Sequence, residues 1–183
     1  DFSIPEIKKI VKKTNACFVW GGALDLAPTD DQIIKIERVI NIDSKSQLLA
    51  SILSKKISVG SKNILIDIPC GKSAKVSKKE AKILKRDFLD ISEKFDLNLK
   101  VLLTEGSEPI GNGIGPKLEM EDVINVLSRK NPPKDLEEKS IKLSAELLKL
   151  AGKNPKIAKD ILYSGKAYKK FLEIIKAQNG DIN

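Results

Sequence analysis

A short apolar run restricts the fold of this chain more than any other feature. Residues 63–68 alternate Ile and Leu with no charged residue before Asp67, a pattern typical of a strand buried on both faces of a parallel sheet. Residues 98–104 predict a second strand. Between the two, Ser77-Lys78-Lys79-Glu80 is a capping box that opens a helix to about Phe95. This order predicts an α/β fold with a mainly parallel sheet flanked by helices.

A third strand is predicted at Ala16–Trp20, before the loop that begins with Gly21-Gly22. Three helices are predicted from their caps: one from a capping box at Ser3 to about Lys13, one that starts at Asp30 with Thr29 as its cap, and one that starts with a capping box at Ser44–Gln47 and ends at Gly60. Four more helices are predicted at about Leu118–Arg129, Leu136–Leu150, Pro155–Tyr163 and Lys166–Ala177.

The strand positions suggest three parts. Residues 1–27 begin an α/β domain, 28–59 form part of a helical lobe because they contain no strand pattern, and 60–183 form the α/β core. The chain begins at Asp1 and has its only Met at position 120, and we expect it to be an internal piece of a longer protein.

The charge of the chain is +8, and only Arg38, Arg86 and Arg129 are arginines. A solvated lysine surface and attraction of anionic substrates both fit this charge. A basic domain that binds nucleic acid is a further alternative, but dispersed lysines, few arginines and 4% aromatic residues do not favour it. We therefore expect no nucleic-acid partner.

Composition also limits the kind of site and the compartment. The chain has no His and no CxxC pair, so histidine triads and ordinary zinc sites are excluded. No apolar stretch approaches the ~20 residues that span a bilayer. We expect a cytoplasmic protein with no membrane partner, in which Cys17 and Cys70 are free thiols.

Ser51 and Lys55 are four residues apart on a predicted helix and share one face. A hydroxyl beside an ammonium can hold an anion or the edge of a base. A polar helix face that simply meets water gives the same spacing. Lys75 lies in the loop Gly71-Lys72-Ser73-Ala74-Lys75 after the first buried strand, where α/β proteins bind ligands. An ordinary turn with solvated lysines is the alternative, and the loop is not a Walker A motif.

Asp43 precedes the helix that carries Ser51. Its carboxylate could cap that helix. It could also act as a general acid that protonates a purine leaving group, provided that burial raises its pKa enough for it to hold a proton. The sequence leaves both possibilities open.

These motifs, in this order, resemble the thymidine/AMP phosphorylase family, and within it the archaeal members that act on AMP. The resemblance covers nearly the whole chain and is strongest in residues 20–31, 48–56, 66–75 and 108–120. It implies a pentosyltransferase that uses inorganic phosphate as co-substrate, needs no other cofactor, and converts AMP, and also CMP and UMP, to free base and ribose 1,5-bisphosphate.

The resemblance also assigns roles. Asp43, eight residues before Ser51, matches the proton donor. Ser51 and Lys55 match residues that hold the base, and Lys75 matches a nucleotide-binding lysine. The alternative is a pyrimidine or thymidine nucleoside phosphorylase. That branch carries an arginine near the position of Ile36, and its absence here argues against thymidine or uridine as substrate.

Other family features lie outside the chain. The glycine-rich loop that binds the attacking phosphate precedes position 1, so we expect the isolated fragment to be inactive and the full-length protein to be a homo-oligomer. Some relatives hold a metal ion at positions that match Ile110, Gly113 and Asp122. Asp122 stands where the family usually has Glu, and we predict no metal ligand among the site residues.

Overall fold

The computed structural model describes residues 2–20, 27–40 and 44–181. Its elements, in chain order, are α1 (Ile4–Thr14), α2 (Pro28–Ile40), α3 (Lys45–Ser58), β1 (Asn63–Cys70), α4 (Lys78–Lys94), β2 (Asn98–Glu105), α5 (Pro116–Ser128), α6 (Lys134–Leu150), α7 (Ile157–Tyr163) and α8 (Lys166–Ala177). None of these helices is both long and apolar enough to cross a membrane.

β1 and β2 form a parallel pair joined by α4, which confirms the predicted α/β class. Ile66 pairs with Val101 in the register of the two strands, and both side chains are buried. Alternate residues of β1 are buried from Ile64 to Cys70. Since successive side chains of a strand point to opposite faces, this alternation places one face of the sheet in the core.

α4 covers that face because its apolar residues recur at helical spacing. Ala81, Leu84 and Phe88 are buried in one cluster with β1 and β2. The predicted capping box is present: Ser77 accepts a hydrogen bond from the backbone N–H of Glu80, and the Glu80 side chain accepts from the backbone N–H of Ser77. The cap fixes where the helix begins and therefore the length of the loop between β1 and α4.

The described residues fall into two compact units. One contains residues 27–40, 44–110 and 142–155, and therefore α2, α3, the β1–α4–β2 unit and the second half of α6. The other contains residues 2–20, 111–141 and 156–181, with α1, α5, the first half of α6, α7 and α8. The three-part division predicted from the sequence stays a prediction.

The predicted strand at Ala16–Trp20 is wrong. Residues 16–20 follow α1 without forming a strand, and Phe18 and Trp20 are 51% and 76% exposed. The side chain of Gln178 makes the two hydrogen bonds that a neighbouring strand would supply: its Oε1 accepts from the Phe18 N–H at 2.7 Å, and its Nε2 donates to the Phe18 carbonyl at 2.7 Å. The apolar pattern identified a segment whose backbone forms hydrogen bonds with another part of the chain, but its partner is a side chain and not a strand.

One helix start and one capping box differ from prediction. α2 begins at Pro28, before the predicted cap Thr29, in keeping with the preference for Pro in the first turn of a helix. Ser44 caps α3 as predicted and accepts from the N–H of Gln47. Among the described residues no capping box forms at α3, and the Gln47 side chain instead donates to Asp30 on α2.

Candidate functional site

One face of α3 carries three polar side chains in succession. Gln47, Ser51 and Lys55 are spaced four residues apart and therefore lie one above the other along the helix. The opposite side of α3 carries the buried Leu49 and Leu53, which pack into the core. Because those leucines fix how the helix is turned, the polar stripe points away from the core.

The stripe meets a buried carboxylate on α2. Asp30 is 7% exposed. Its Oδ1 accepts from Gln47 Nε2 at 2.7 Å. Its Oδ2 accepts from Ser51 Oγ at 2.8 Å and from the Lys55 ammonium. Lys55 Nζ also lies 3.1 Å from Ser51 Oγ. We refer to Asp30, Gln47, Ser51 and Lys55 as the α2–α3 cluster.

The electrostatics of the α2–α3 cluster keep Asp30 ionised. Burial by itself raises the pKa of Asp30. The hydrogen bonds from Lys55 and Ser51, the charge of Lys55 and the hydrogen bond from Gln47 together outweigh burial, so the pKa of Asp30 lies below its ordinary value. The cluster therefore holds a carboxylate–ammonium pair with a hydroxyl between them.

The structure thus brings together two of the predicted substrate-binding residues, Ser51 and Lys55. They do not form a polar face that only meets water, because both contact Asp30. Ser51 is half-buried and the Lys55 side chain is 32% exposed. Both groups are therefore partly exposed to solvent, while Asp30, the partner that orients them, is buried.

Lys75 lies in the loop at the carboxyl end of β1. The Gly71 N–H donates to the Val76 carbonyl at 3.2 Å and closes the loop. A Cβ at position 71 would lie 2.2 Å from Ser107 Oγ and 3.1 Å from the Ser107 backbone nitrogen, so a larger residue would require the segment that follows β2 to shift. Lys75 is exposed on this loop, at the edge of the sheet where parallel α/β proteins bind ligands.

The predicted proton donor, Asp43, lies outside the described residues. The next residue, Ser44, caps α3. Lys45 follows, and its ammonium lies 3.7 Å from Glu80 in the first turn of α4. The start of α3 is therefore held beside the start of α4, which directly follows the loop of Lys75.

Asp122 has a structural role in its own unit. It is 6% exposed, and its Oδ2 accepts from the backbone N–H groups of Asn112 and Gly113 at 2.7 and 2.8 Å. A cation at this oxygen would face two N–H donors, so Oδ2 is not available as a metal ligand. The described residues also contain no group of three or more His, Cys, Asp or Glu side chains placed to hold one.

Comparison with known proteins finds relatives over nearly the whole chain. The chain is 48% identical to an AMP phosphorylase of Pyrococcus horikoshii and 47% identical to an AMP phosphorylase of Thermococcus kodakarensis, over 99% and 100% of its length. It is 46% identical to an AMP phosphorylase of Methanocaldococcus jannaschii over 98% of its length. No family model matches the chain.

Along nearly its whole length, the chain is similar to one segment of proteins named AMP phosphorylase. It spans about 37% of the length of the curated relatives named above. The α2–α3 cluster and the Lys75 loop both lie within this shared segment. This similarity does not by itself assign a role to any of these side chains.

Asp30 is the residue of the site that sequence reasoning missed. The sequence predicts Asp30 only as the first residue of a helix capped by Thr29, where its charge suits the positive helix end. The sequence did carry a signal: Gln47, Ser51 and Lys55 form a stripe of donors at helical spacing, on a helix whose other face is apolar. Such a stripe can share a common acceptor, and an acidic residue on the preceding helix can supply one.

Proposed function

We propose that the full-length protein containing this segment is a nucleotide phosphorylase that cleaves AMP, and also CMP and UMP, with inorganic phosphate and without another cofactor. One observation carries the proposal. Ser51 and Lys55, the residues expected to hold the base, meet at one point in a chain 46–48% identical to proteins named AMP phosphorylase. The products would be the free base and ribose 1,5-bisphosphate.

We assign the steps of the reaction to residues as follows. Phosphate attacks the anomeric carbon of the ribose while the bond from that carbon to the base breaks, through an oxocarbenium-like state. Negative charge develops on the base as it leaves. Asp43 donates a proton to a ring nitrogen of the base and removes that charge. Ser51 and Lys55 hold the base, and Lys75 binds the 5′-phosphate of the nucleotide.

We place the enzyme in the cytoplasm and expect it to be a homo-oligomer. Cys17 and Cys70 are free thiols, which is the usual state in a reducing compartment. α2 exposes Ile36, Val39 and Ile40 by 55–85%. An apolar stretch of this kind on a helix is a surface that another subunit can cover.

The test is a comparison of substrates with the full-length protein. We measure kcat/KM for phosphorolysis of AMP, adenosine and thymidine side by side. The proposal requires AMP to be the best of the three, since only AMP offers both the purine and the 5′-phosphate. Preference for thymidine would instead support a pyrimidine nucleoside phosphorylase. No phosphorolysis of any of them, together with strongly salt-dependent binding to RNA or DNA, would support a nucleic-acid-binding protein.

A further inference from the structure

The α2–α3 cluster fixes the direction of its own hydrogen bonds. An ionised carboxylate can only accept and an ammonium can only donate, whereas a hydroxyl has one hydrogen and two lone pairs. Ser51 Oγ lies 2.8 Å from Asp30 Oδ2, so Ser51 donates its only hydrogen to Asp30. Ser51 Oγ lies 3.1 Å from Lys55 Nζ, so it accepts from Lys55 through one of its lone pairs.

The groups that are left define what the cluster can offer a ligand. Lys55 uses one N–H on Asp30 and one on Ser51, and its third has no partner among the described residues. Ser51 retains one lone pair. The cluster therefore presents one acceptor, Ser51 Oγ, next to one donor, Lys55 Nζ, and Ser51 has no hydrogen left to donate.

We propose that Asp30 is a positioning residue that makes Ser51 an acceptor toward the substrate, so that the site selects bases carrying an N–H donor next to an acceptor. This inference rests on the proposed function. Adenine has its 6-amino group beside ring nitrogens, cytosine its 4-amino group beside N3, and uracil its N3–H beside two carbonyls. A purine without the amino group has acceptors only, and Ser51 would face one of them with a lone pair.

The competing role for Asp30 is purely structural: its buried carboxylate holds α2 against α3 through hydrogen bonds. Both roles predict that loss of Asp30 weakens the protein or its activity. They differ in selectivity. If Asp30 only holds α2 against α3, its loss affects all substrates alike. If Asp30 makes Ser51 a hydrogen-bond acceptor, its loss changes the preference between two nucleotides that differ only in an N–H donor.

The experiment compares AMP with purine riboside 5′-monophosphate, which is AMP without the 6-amino group. The full-length protein and its Asp30→Ala variant are assayed for kcat/KM with both nucleotides. Asp31→Ala, which removes the neighbouring carboxylate on α2, is the matched control. The two bases differ as leaving groups, but that difference is common to all variants and cancels when the AMP preference of one protein is divided by that of another.

We expect the parent and Asp31→Ala to share one preference for AMP, and Asp30→Ala to lose roughly tenfold to a hundredfold of it, the range expected for one hydrogen bond to a charged network. Ser51→Ala removes the acceptor and should lose the preference to the same degree. Thermal unfolding shows whether Asp30→Ala folds. If it does not, the result with Ser51→Ala decides the test.

An unchanged preference in Asp30→Ala, or in Ser51→Ala where Asp30→Ala is unfolded, would overturn the inference while leaving the phosphorylase proposal intact. If the parent protein does not phosphorolyse AMP, the proposed function fails, and the same two nucleotides are compared by equilibrium binding. Equal dissociation constants for AMP and purine riboside 5′-monophosphate in the parent would then refute the role of Ser51 as an acceptor.

Discussion

At the scale of single residues, one buried carboxylate organises the candidate base site. Asp30 brings a glutamine, a serine and a lysine of α3 to a common point. Breaking a buried ion pair leaves an uncompensated charge, but Lys55 is 32% exposed, so water can solvate its ammonium when Asp30 is replaced. For this reason we expect variants at Asp30 to remain foldable and to report on selectivity.

Lys75→Ala should separate nucleotides from nucleosides. A charge-assisted hydrogen bond to phosphate contributes about 1.5–3 kcal/mol, so the full-length variant should lose roughly tenfold to a hundredfold in kcat/KM for AMP. Adenosine lacks the phosphate and should be little affected. Lys72→Ala, in the same loop and also exposed, is the control and should leave the ratio of AMP to adenosine unchanged. Equal losses of kcat/KM for AMP and adenosine in Lys75→Ala would mean that Lys75 does not bind the 5′-phosphate.

Asp43→Asn should slow turnover with AMP by roughly 10²–10⁴, the usual contribution of a general acid. The dissociation constant for AMP should change less, because the amide keeps the shape of the side chain but cannot donate the proton. Single-turnover rates and equilibrium binding on the full-length protein measure the two effects separately. Near-parental turnover would mean that Asp43 is not the proton donor.

Residue-level prediction from the sequence succeeded where spacing alone decides contact. Four-residue spacing placed Ser51 and Lys55 together, and their side chains do meet. It could not identify Asp30, because the partner of a helix face depends on which helix packs against it. Nor could it foresee that the Gln47 side chain donates to Asp30, since that bond also depends on how α2 packs against α3.

At the scale of elements, the polar contacts between α2 and α3 converge on Asp30, and this makes their stability depend on pH. The folded pKa of Asp30 is below the ordinary value, which is about 3.9 in an unfolded chain. The ionised form therefore contributes stability that is fully present well above pH 4 and is lost as the pH falls through the folded pKa.

This pH dependence can be isolated by difference. The free energy of unfolding of the 183-residue chain and of its Asp30→Asn variant is measured by urea from neutral pH downward. The advantage of the parent over the variant should be constant at neutral pH and should shrink below about pH 4. Other acids with lowered pKa, such as Glu80 and Glu137, titrate in both proteins and cancel. An advantage that stays constant to pH 3 would show that Asp30 is not the titrating group.

The βαβ unit was predictable because several local signals agree on it. Apolar runs, a capping box and strand lengths all indicate the same β1–α4–β2 order. The structure of segment 16–20 was not predictable, because a strand forms only beside a second strand and the sequence of the segment does not show which part of the chain lies next to it. Gln178, 160 residues along the chain, supplies the pairing instead.

At the scale of the whole molecule, the net charge of +8 suits anionic substrates. The substrates proposed above, a nucleoside monophosphate and inorganic phosphate, are both anions and are therefore consistent with this charge. The chain spans about 37% of the length of its curated relatives, and assays of turnover therefore belong to the full-length protein.

The central claim is that this segment serves phosphorolysis of AMP. Its most direct test follows adenine released from AMP by the full-length protein, with and without inorganic phosphate, and analyses the sugar product. The account predicts that release requires phosphate and that each adenine is matched by one ribose 1,5-bisphosphate. Release that proceeds equally without phosphate and yields ribose 5-phosphate, or no release in its presence, would contradict it.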